Sequence, residues 1–484
     1  MRLNKYIFNL VCVTLLFLSC TKRKTLPPDV LLPVPTPAQQ AWHEMELNAF
    51  IHFSINTFTD KEWGYGDESE KLFNPTALDA TQWISVLKET GFKGVILTGK
   101  HHDGFCLWPS AYTDHSVKNS PWKNGSGDVV EEVARACAKE GLKFGIYLSP
   151  WDRHQANYGT PAYIDYYRNQ LNELFTRYPS IFEMWFDGAN GGDGYYGGQR
   201  ETRKINGRTY YDWPTTLAQI KKMDSTVIFF SDAGPGVRWS GNEKGIAGET
   251  NWNLISPDTL YAGKPGIEKL LNEGNEAGSH WIPIECDVSI RPGWFYHAKE
   301  DTSVKTPEQL FDIYLKSVGR GSLLLLNIPP DRRGQFHDED VKSLRGFKKL
   351  HDDEFKVNYA RNAIVKADSY RGNDDRYSPV ALTDGNKETY WATDDGKTKA
   401  TLEINLNKRV TVKYIVLQEY IKLGQRVKSF SVHVYKNKSW QEVAMATTIG
   451  RKRILKIDPV ETDKIKIRIL NAKACPVISN LEIY

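Results

Sequence analysis

Between residues 45 and 330 the chain returns, roughly every 40 residues, to a short apolar run that does not alternate with polar residues. The runs are Ala49–Phe53, Gly94–Thr98, Lys143–Leu148, Ile181–Phe186, Val227–Ser231, Trp281–Glu285 and Leu323–Ile328. Runs of this kind are what parallel strands buried on both faces require. Amphipathic helices are expected between them. Ala80–Thr90 collects Trp83, Val86 and Leu87 on one side, and Gly127–Glu140 collects Val130, Val133, Ala134 and Cys137. Tyr163–Tyr178 and Pro307–Val318 extend the series. With an eighth strand expected around Gly241–Thr250, the repeat predicts a closed (β/α)8 barrel over residues 41–352. A doubly wound open sheet is the competing arrangement, but no G-x-G-x-x-G turn follows the first strand.

Beyond residue 353 helical patterns stop and alternating strands begin, as in Lys413–Leu417, Phe430–Val434 and Lys464–Ile469. Turn residues such as Asp384-Gly385-Asn386 and Asp395-Gly396 separate them, so residues 353–484 predict an all-β sandwich of jelly-roll type.

The first 40 residues stand apart from both. Arg2 and Lys5 precede the apolar run Tyr6–Leu18, which is short for a membrane span and reads as a signal peptide over 1–19. Leu18-Ser19-Cys20 is similar to a bacterial lipobox, with Cys20 as the lipidated residue, although an ordinary signal with an incidental cysteine is the alternative. Residues 20–40 are Pro-rich and aperiodic, which suits a tether. The expectation is an exported lipoprotein, periplasmic or held at the outer membrane of a Gram-negative bacterium. Cys106, Cys137, Cys286 and Cys475 are scattered and form no disulfide or metal-ligand spacing.

Composition narrows the function. A net charge of +4 is too small for a protein that binds nucleic acid through phosphate neutralisation. Aromatic residues make up 12% of the chain, with 14 Trp and 24 Tyr, enough to furnish a sugar-binding cleft as well as a core. In a barrel the chemistry belongs where strands end. Asp187 follows Ile181–Phe186 and precedes Gly188-Ala189-Asn190-Gly191-Gly192, so it reads as a nucleophile or base, or as a turn cap. His101 and His102 follow Gly94–Thr98 and could serve as two hydrogen-bond donors to one sugar ring. His52 ends the first strand and converges on the same mouth. His101-His102-Asp103 could instead hold a metal, but no H-x-H or H-E-x-x-H pattern supports one, and none is assigned.

Five ordered motifs span about 140 residues: Ala49–Ser54, Glu62-Trp63-Gly64, Lys100–Phe105, Gly145–Trp151 and Trp185-Phe186-Asp187-Gly188. Together they resemble the retaining α-L-fucosidases of glycoside hydrolase family 29. The tail, through Leu382–Asn386, Tyr390–Thr393 and Leu402–Leu406, resembles the discoidin-like, or F5/8 type C, domain used for carbohydrate binding. That copy could equally be a buttress without ligand.

The first resemblance implies that Asp187 is the nucleophile and that His52, Glu62, Trp63, His101 and His102 hold the fucose hydroxyls and its methyl-bearing face. Tyr147 and Trp151 join them through the Gly145–Trp151 motif, although some members read Tyr-Tyr-Ser where this chain reads Tyr147-Leu148-Ser149. Two glutamates compete as acid/base. Glu243 lies in Arg238-Trp239-Ser240-Gly241-Asn242-Glu243, which resembles the subgroup acting on α-1,3/4-linked fucose; Glu285 ends an expected strand and is the better placed by position alone. Glu243 is preferred, with Trp294 packing on the sugar or belonging to the core. The two reacting carboxyls of a retaining enzyme stand ~5–5.5 Å apart. No cofactor is required, and a structural Ca2+ in the tail stays open. Activity on α-1,2 linkages, another barrel hydrolase such as a hexosaminidase, and a non-catalytic sugar-binding lipoprotein are the alternatives.

Overall fold

A computed structural model describes residues 25–178 and 180–484. The expected signal peptide and Cys20 lie outside them. Eight parallel strands close into a barrel in chain order: β1 Leu47–Ile51, β2 Gly94–Lys100, β3 Lys143–Leu148, β4 Ile181–Trp185, β5 Ile228–Ser231, β6 Val237–Trp239, β7 Ile284–Ser289 and β8 Leu323–Asn327. The seam pairs β8 with β1 through Leu324↔Leu47 to Asn327↔Phe50. The (β/α)8 expectation holds.

Helices lie where the amphipathic patterns put them, and local caps start them. Asp79 accepts hydrogen bonds from the Thr81 and Gln82 N–H groups ahead of Ala80–Glu89. Asp128 caps Val129–Glu140, which Gly141 ends in the left-handed conformation at φ 75°. Thr306 and Gln309 form a capping box on Pro307–Lys316. The helix Asp338–Glu354 carries two residues past the expected boundary at 352.

Three expectations are corrected. The eighth strand is Val237–Trp239, and Gly241–Thr250 is a loop that follows it. Arg238 at its centre disguises it: the buried guanidinium donates to the backbone carbonyls of Leu271, Trp252 and Ile282. The strand expected at Trp281–Glu285 begins three residues later, so Glu285 lies near its start and not at its tip. Its polar content, Glu285, Asp287 and Ser289, hid it from an apolar-run criterion.

The third correction concerns the tether, which is docked from residue 25 onward. A proline-rich segment has no internal hydrogen bonds and needs outside donors. Arg371 Nε donates to Leu26 O at 2.6 Å, Arg426 donates to Asp29 O, and Leu31 N–H donates to Leu423 O. Thr36 then caps the helix Pro37–His43, which closes the barrel floor. Gln39 Nε2 donates to Gly236 O and Trp281 O, both at 2.8 Å, and the indole of Trp42 donates to Glu183 Oε2 at 3.1 Å.

The C-terminal domain is an antiparallel β-domain built on two 20-residue strands, Ala400–Glu419 and Arg453–Ala472, with Val427–Lys436, Ser439–Ala446, Val477–Ile483 and two shorter strands. Trp391, Leu402, Phe430 and Ile467 lie in its own core. Tyr414, Val416 and Ile454 pack into the barrel's core instead. Glu46, just before β1, pairs with Arg451 at 2.9 Å and Lys452 at 2.7 Å, and those cations hold its carboxyl down at about 2 against the cost of burial.

Trp42 is 1% exposed and fills the floor. Trp42→Ala is expected to lower stability by about 3–5 kcal/mol, read as a denaturation midpoint shift at unchanged m-value, because it removes buried area and leaves Glu183 without a donor.

Candidate active site

The strand tips of β1, β2, β4, β6 and β7 surround a cavity of about 230 Å3. It is lined by His52, Glu62, Trp63, His101, His102, Asp187, Glu243 and Trp294 from the sequence reading. Ligand pockets commonly span ~300–1,000 Å3, so this one suits a single sugar ring.

The imidazoles are held neutral. His52 Nδ1 lies 2.9 Å from Asn327 Oδ1, an acceptor that also receives the His52 backbone N–H at 3.1 Å. This assigns the proton to Nδ1 and leaves Nε2 as an acceptor. His102 repeats the pattern. Ser149 Oγ donates to Trp151 O at 2.6 Å, so it accepts from His102 Nδ1 at 2.7 Å. Burial lowers both rings to about 3, helped at His102 by the charges of Arg153 and Lys100. The two histidines therefore present lone pairs at Nε2 that can accept from hydroxyl groups, where donor roles were expected.

Asp187 stands at the tip of β4. Its Oδ1 accepts from Ala189 N–H at 2.7 Å and its Oδ2 from Tyr147 O–H at 3.1 Å, with His102 Nε2 3.9 Å away. Burial raises its pKa and these two donors oppose the rise. Both donors favour the ionised form over the neutral acid.

Tyr147 and Trp151 do not line the cavity; they lie under it. Tyr147 is fully buried and reaches the site only through its hydroxyl on Asp187. Trp151, 4% exposed, supports Trp63 edge-on at 5.6 Å and packs on His102 at 5.1 Å. Trp63, by contrast, is 53% exposed at the mouth. Deeper still, Lys100 is buried between Asp152 at 2.9 Å and Gln170 at 3.0 Å.

The two candidate acids separate cleanly. Glu285 is buried in the barrel core, where its Oε1 accepts from Trp185 Nε1 at 2.9 Å. Burial and the neighbouring Glu183 drive its pKa well up. Glu243 lies on the loop after β6 and lines the cavity, with its Oε2 accepting from Trp294 Nε1 at 3.2 Å. Partial burial, then the charges of Asp187 and Glu62, raise its pKa. A proton donor needs that direction of shift.

Several lining residues were missed in the sequence. Asp232 directly follows β5, and its signal was the strand end itself. Asp287 was obscured by the misplaced strand; it accepts from Trp239 Nε1 at 2.9 Å. Phe50, Trp185 and Trp239 complete the lining. Among the described residues no group of three or more His, Cys, Asp or Glu side chains could hold a metal ion, and Cys106, Cys137, Cys286 and Cys475 are free and buried.

Glu62 is engaged in holding the loop that carries Trp294. It accepts from Trp294 N–H at 2.8 Å, Phe295 N–H at 3.2 Å and His297 Nε2 at 2.7 Å, while His297 Nδ1 donates to Asp60 at 2.7 Å. With a carboxylate on each nitrogen, His297 is held as an imidazolium, and the hydrogen bonds it donates to Asp60 and Glu62 raise its pKa against burial. The stability this clamp supplies is full below about pH 6.5, the unfolded histidine value, and is lost as pH rises through the higher folded pKa. The Tm gap between wild type and His297→Gln is accordingly expected to be wide at pH 6 and narrow in alkaline buffer; a gap independent of pH would contradict the clamp.

Comparison with known proteins gives the same answer as the geometry. A family described as Alpha-L-fucosidase matches residues 34–350, and the F5/8 type C domain matches 364–483. Alpha-L-fucosidase 1 of Arabidopsis thaliana is 42% identical over 464 residues, covering 94% of this chain and 88% of its own. A glycoside hydrolase 29 family member from an unknown rumen bacterium superposes with a TM-score of 0.84 at 44% identity, covering 95% of this chain and 78% of that one. A Ruminococcus gnavus GH29 fucosidase in complex with fucose gives 0.85 at 33% identity, covering 95% and 97%. The chain belongs to the α-L-fucosidase family of glycoside hydrolases, family 29, with an F5/8 type C domain at its C-terminal end.

Proposed function

We propose that the protein is an exo-acting, retaining α-L-fucosidase that removes terminal α-1,3/4-linked fucose from oligosaccharides or glycoconjugates. The observation that carries the reading is a one-ring cavity with Asp187 held at a strand tip by two donors and Glu243 on its wall. Asp187 attacks the anomeric carbon and forms a covalent fucosyl-enzyme, while Glu243 gives its proton to the departing oxygen. Glu243 then takes a proton from water, which releases fucose with its configuration kept. His52 and His102 accept from ring hydroxyls through Nε2, and Trp63 and Trp294 supply apolar walls. The α-1,3/4 preference rests on the segment Arg238-Trp239…Gly241-Asn242-Glu243.

Export and anchoring through Cys20 belong to the same reading and rest on the leader sequence. Labelling with radioactive palmitate, lost in Cys20→Ala, tests it.

Asp187→Ala is expected to abolish hydrolysis of an aryl fucoside without loss of folding. Glu243→Ala should keep turnover of activated aryl fucosides and be accelerated by azide, which needs no proton donor. Normal turnover by Asp187→Ala would sink the nucleophile assignment. In a side-by-side panel, 3- and 4-fucosylated oligosaccharides should be cleaved in preference to a 2-fucosylated one; the reverse order overturns the linkage.

A further inference from the structure

The rim of the barrel carries a third carboxyl between the two proposed to react. Asp187 follows β4 and Glu243 follows β6; β5 runs between them, paired with β4 through Phe229↔Met184 and with β6 through Phe230↔Val237. Asp232 is the residue immediately after β5. Its position on the arc is therefore where the bond to be cut must lie, since the nucleophile has to reach the anomeric carbon and the acid has to reach the departing oxygen.

The side chain is placed deliberately. It lines the cavity beside Gly188, Ala189 and Trp239. Oδ2 accepts from Gly263 N–H at 2.8 Å, and the backbone carbonyl accepts from Trp239 N–H at 3.2 Å. A Cβ at position 188 would lie 2.1 Å from Oδ2, so the glycine after the nucleophile clears room for this carboxyl. Among the described residues no group donates to Oδ1 and no cation pairs with it. A half-buried carboxyl without a counter-ion, opening on a sugar-sized cavity, has hydroxyl groups as its natural partner.

We propose that Asp232 binds the sugar to which the fucose is attached, by a hydrogen bond between its free oxygen and a hydroxyl next to the scissile linkage, and so selects the leaving group. This rests on the fucosidase reading above. Burial, with the charge of Asp187 adding to it, raises the carboxyl to about 7, so near neutrality the group can donate as well as accept. Glu243 retains the proton transfer, and Asp232 acts by contact with the aglycone.

The test compares wild type, Asp232→Ala and Asp232→Asn on an aryl fucoside, whose leaving group has no sugar hydroxyls, and on a 3- or 4-fucosylated oligosaccharide. Asp232→Ala is expected to lose kcat/KM on the oligosaccharide about tenfold more than on the aryl fucoside, mostly through KM, as for one lost hydrogen bond to a substrate hydroxyl. Asp232→Asn keeps a donor, an acceptor and the Gly263 contact, and should recover most of that difference. Equal losses on both substrates, or none, would overturn the proposal. Azide acceleration of Asp232→Ala would overturn it too, by showing that Asp232 transfers the proton. A wild type that cleaves neither substrate refutes the fucosidase reading and this proposal with it, whereas cleavage by wild type with an unselective Asp232→Ala refutes this proposal alone.

Discussion

The four hydrogen bonds of the Asn327 carboxamide tie the site together. The side chain is fully buried at the tip of β8, where the barrel closes onto β1. Its oxygen receives both the backbone N–H and the Nδ1–H of His52, and its nitrogen donates to Ser289 Oγ at 2.9 Å and Trp294 O at 2.8 Å. A primary amide has two lone pairs and two N–H groups, and all are used. One side chain thus closes the seam, fixes the tautomer of the first histidine and pulls the Trp294 loop over the cavity. Glu62 grips the same loop from the other side through backbone N–H groups. No isosteric hydrocarbon could do this, because it would leave the buried groups at both ends of the network without a partner.

Desolvation sets the protonation pattern around that network. Burial works against every charge, so His52 and His102 stay neutral and the carboxyls Asp232, Asp287 and Glu285 gain proton affinity. Charge survives only where donors or counter-ions are built in. Asp187 has the N–H of Ala189 and the hydroxyl of Tyr147. Burial thus favours the neutral acid around the cavity, and at Asp187 two donors oppose it.

How much of this was legible follows from which residues the folding signal uses. Lys143–Leu148, whose buried residues carry no charge, was readable to the residue. The strands that failed were those carrying buried polar side chains, Arg238 in β6 and Glu285 and Asp287 in β7. Those side chains find their partners in other elements of the fold, a relation no local window contains. The same limit governed the site. Motif residues at strand tips were brought together, but whether Trp151 faced the sugar or stood beneath Trp63 depended on packing. Asp232 was passed over because the turn after it, Ala233-Gly234-Pro235-Gly236, looks like any loop. The Pro-rich segment was misread for a different reason: lacking internal hydrogen bonds, it owes its order to Arg371 and Arg426, more than 340 residues away in sequence.

That last relation changes what the C-terminal domain is for. Every cavity-lining residue falls between Phe50 and Trp294, so the domain contributes no side chain to the sugar pocket. Its hold on the barrel is nevertheless extensive. Tyr414, Val416 and Ile454 complete the barrel's own hydrophobic core, and Tyr414 packs against Phe311 and Phe355. Arg451 and Lys452 neutralise Glu46 one residue ahead of β1, the strand whose other end carries His52. Removing the domain would bare that apolar face and take from Glu46, at the start of the seam strand, both of its cations. The domain is therefore a structural half of the folded unit, joined to the barrel both at Glu46 and, through Thr448, Gln425 and Arg453, at the segment Glu249–Asn253 that follows the Glu243 loop.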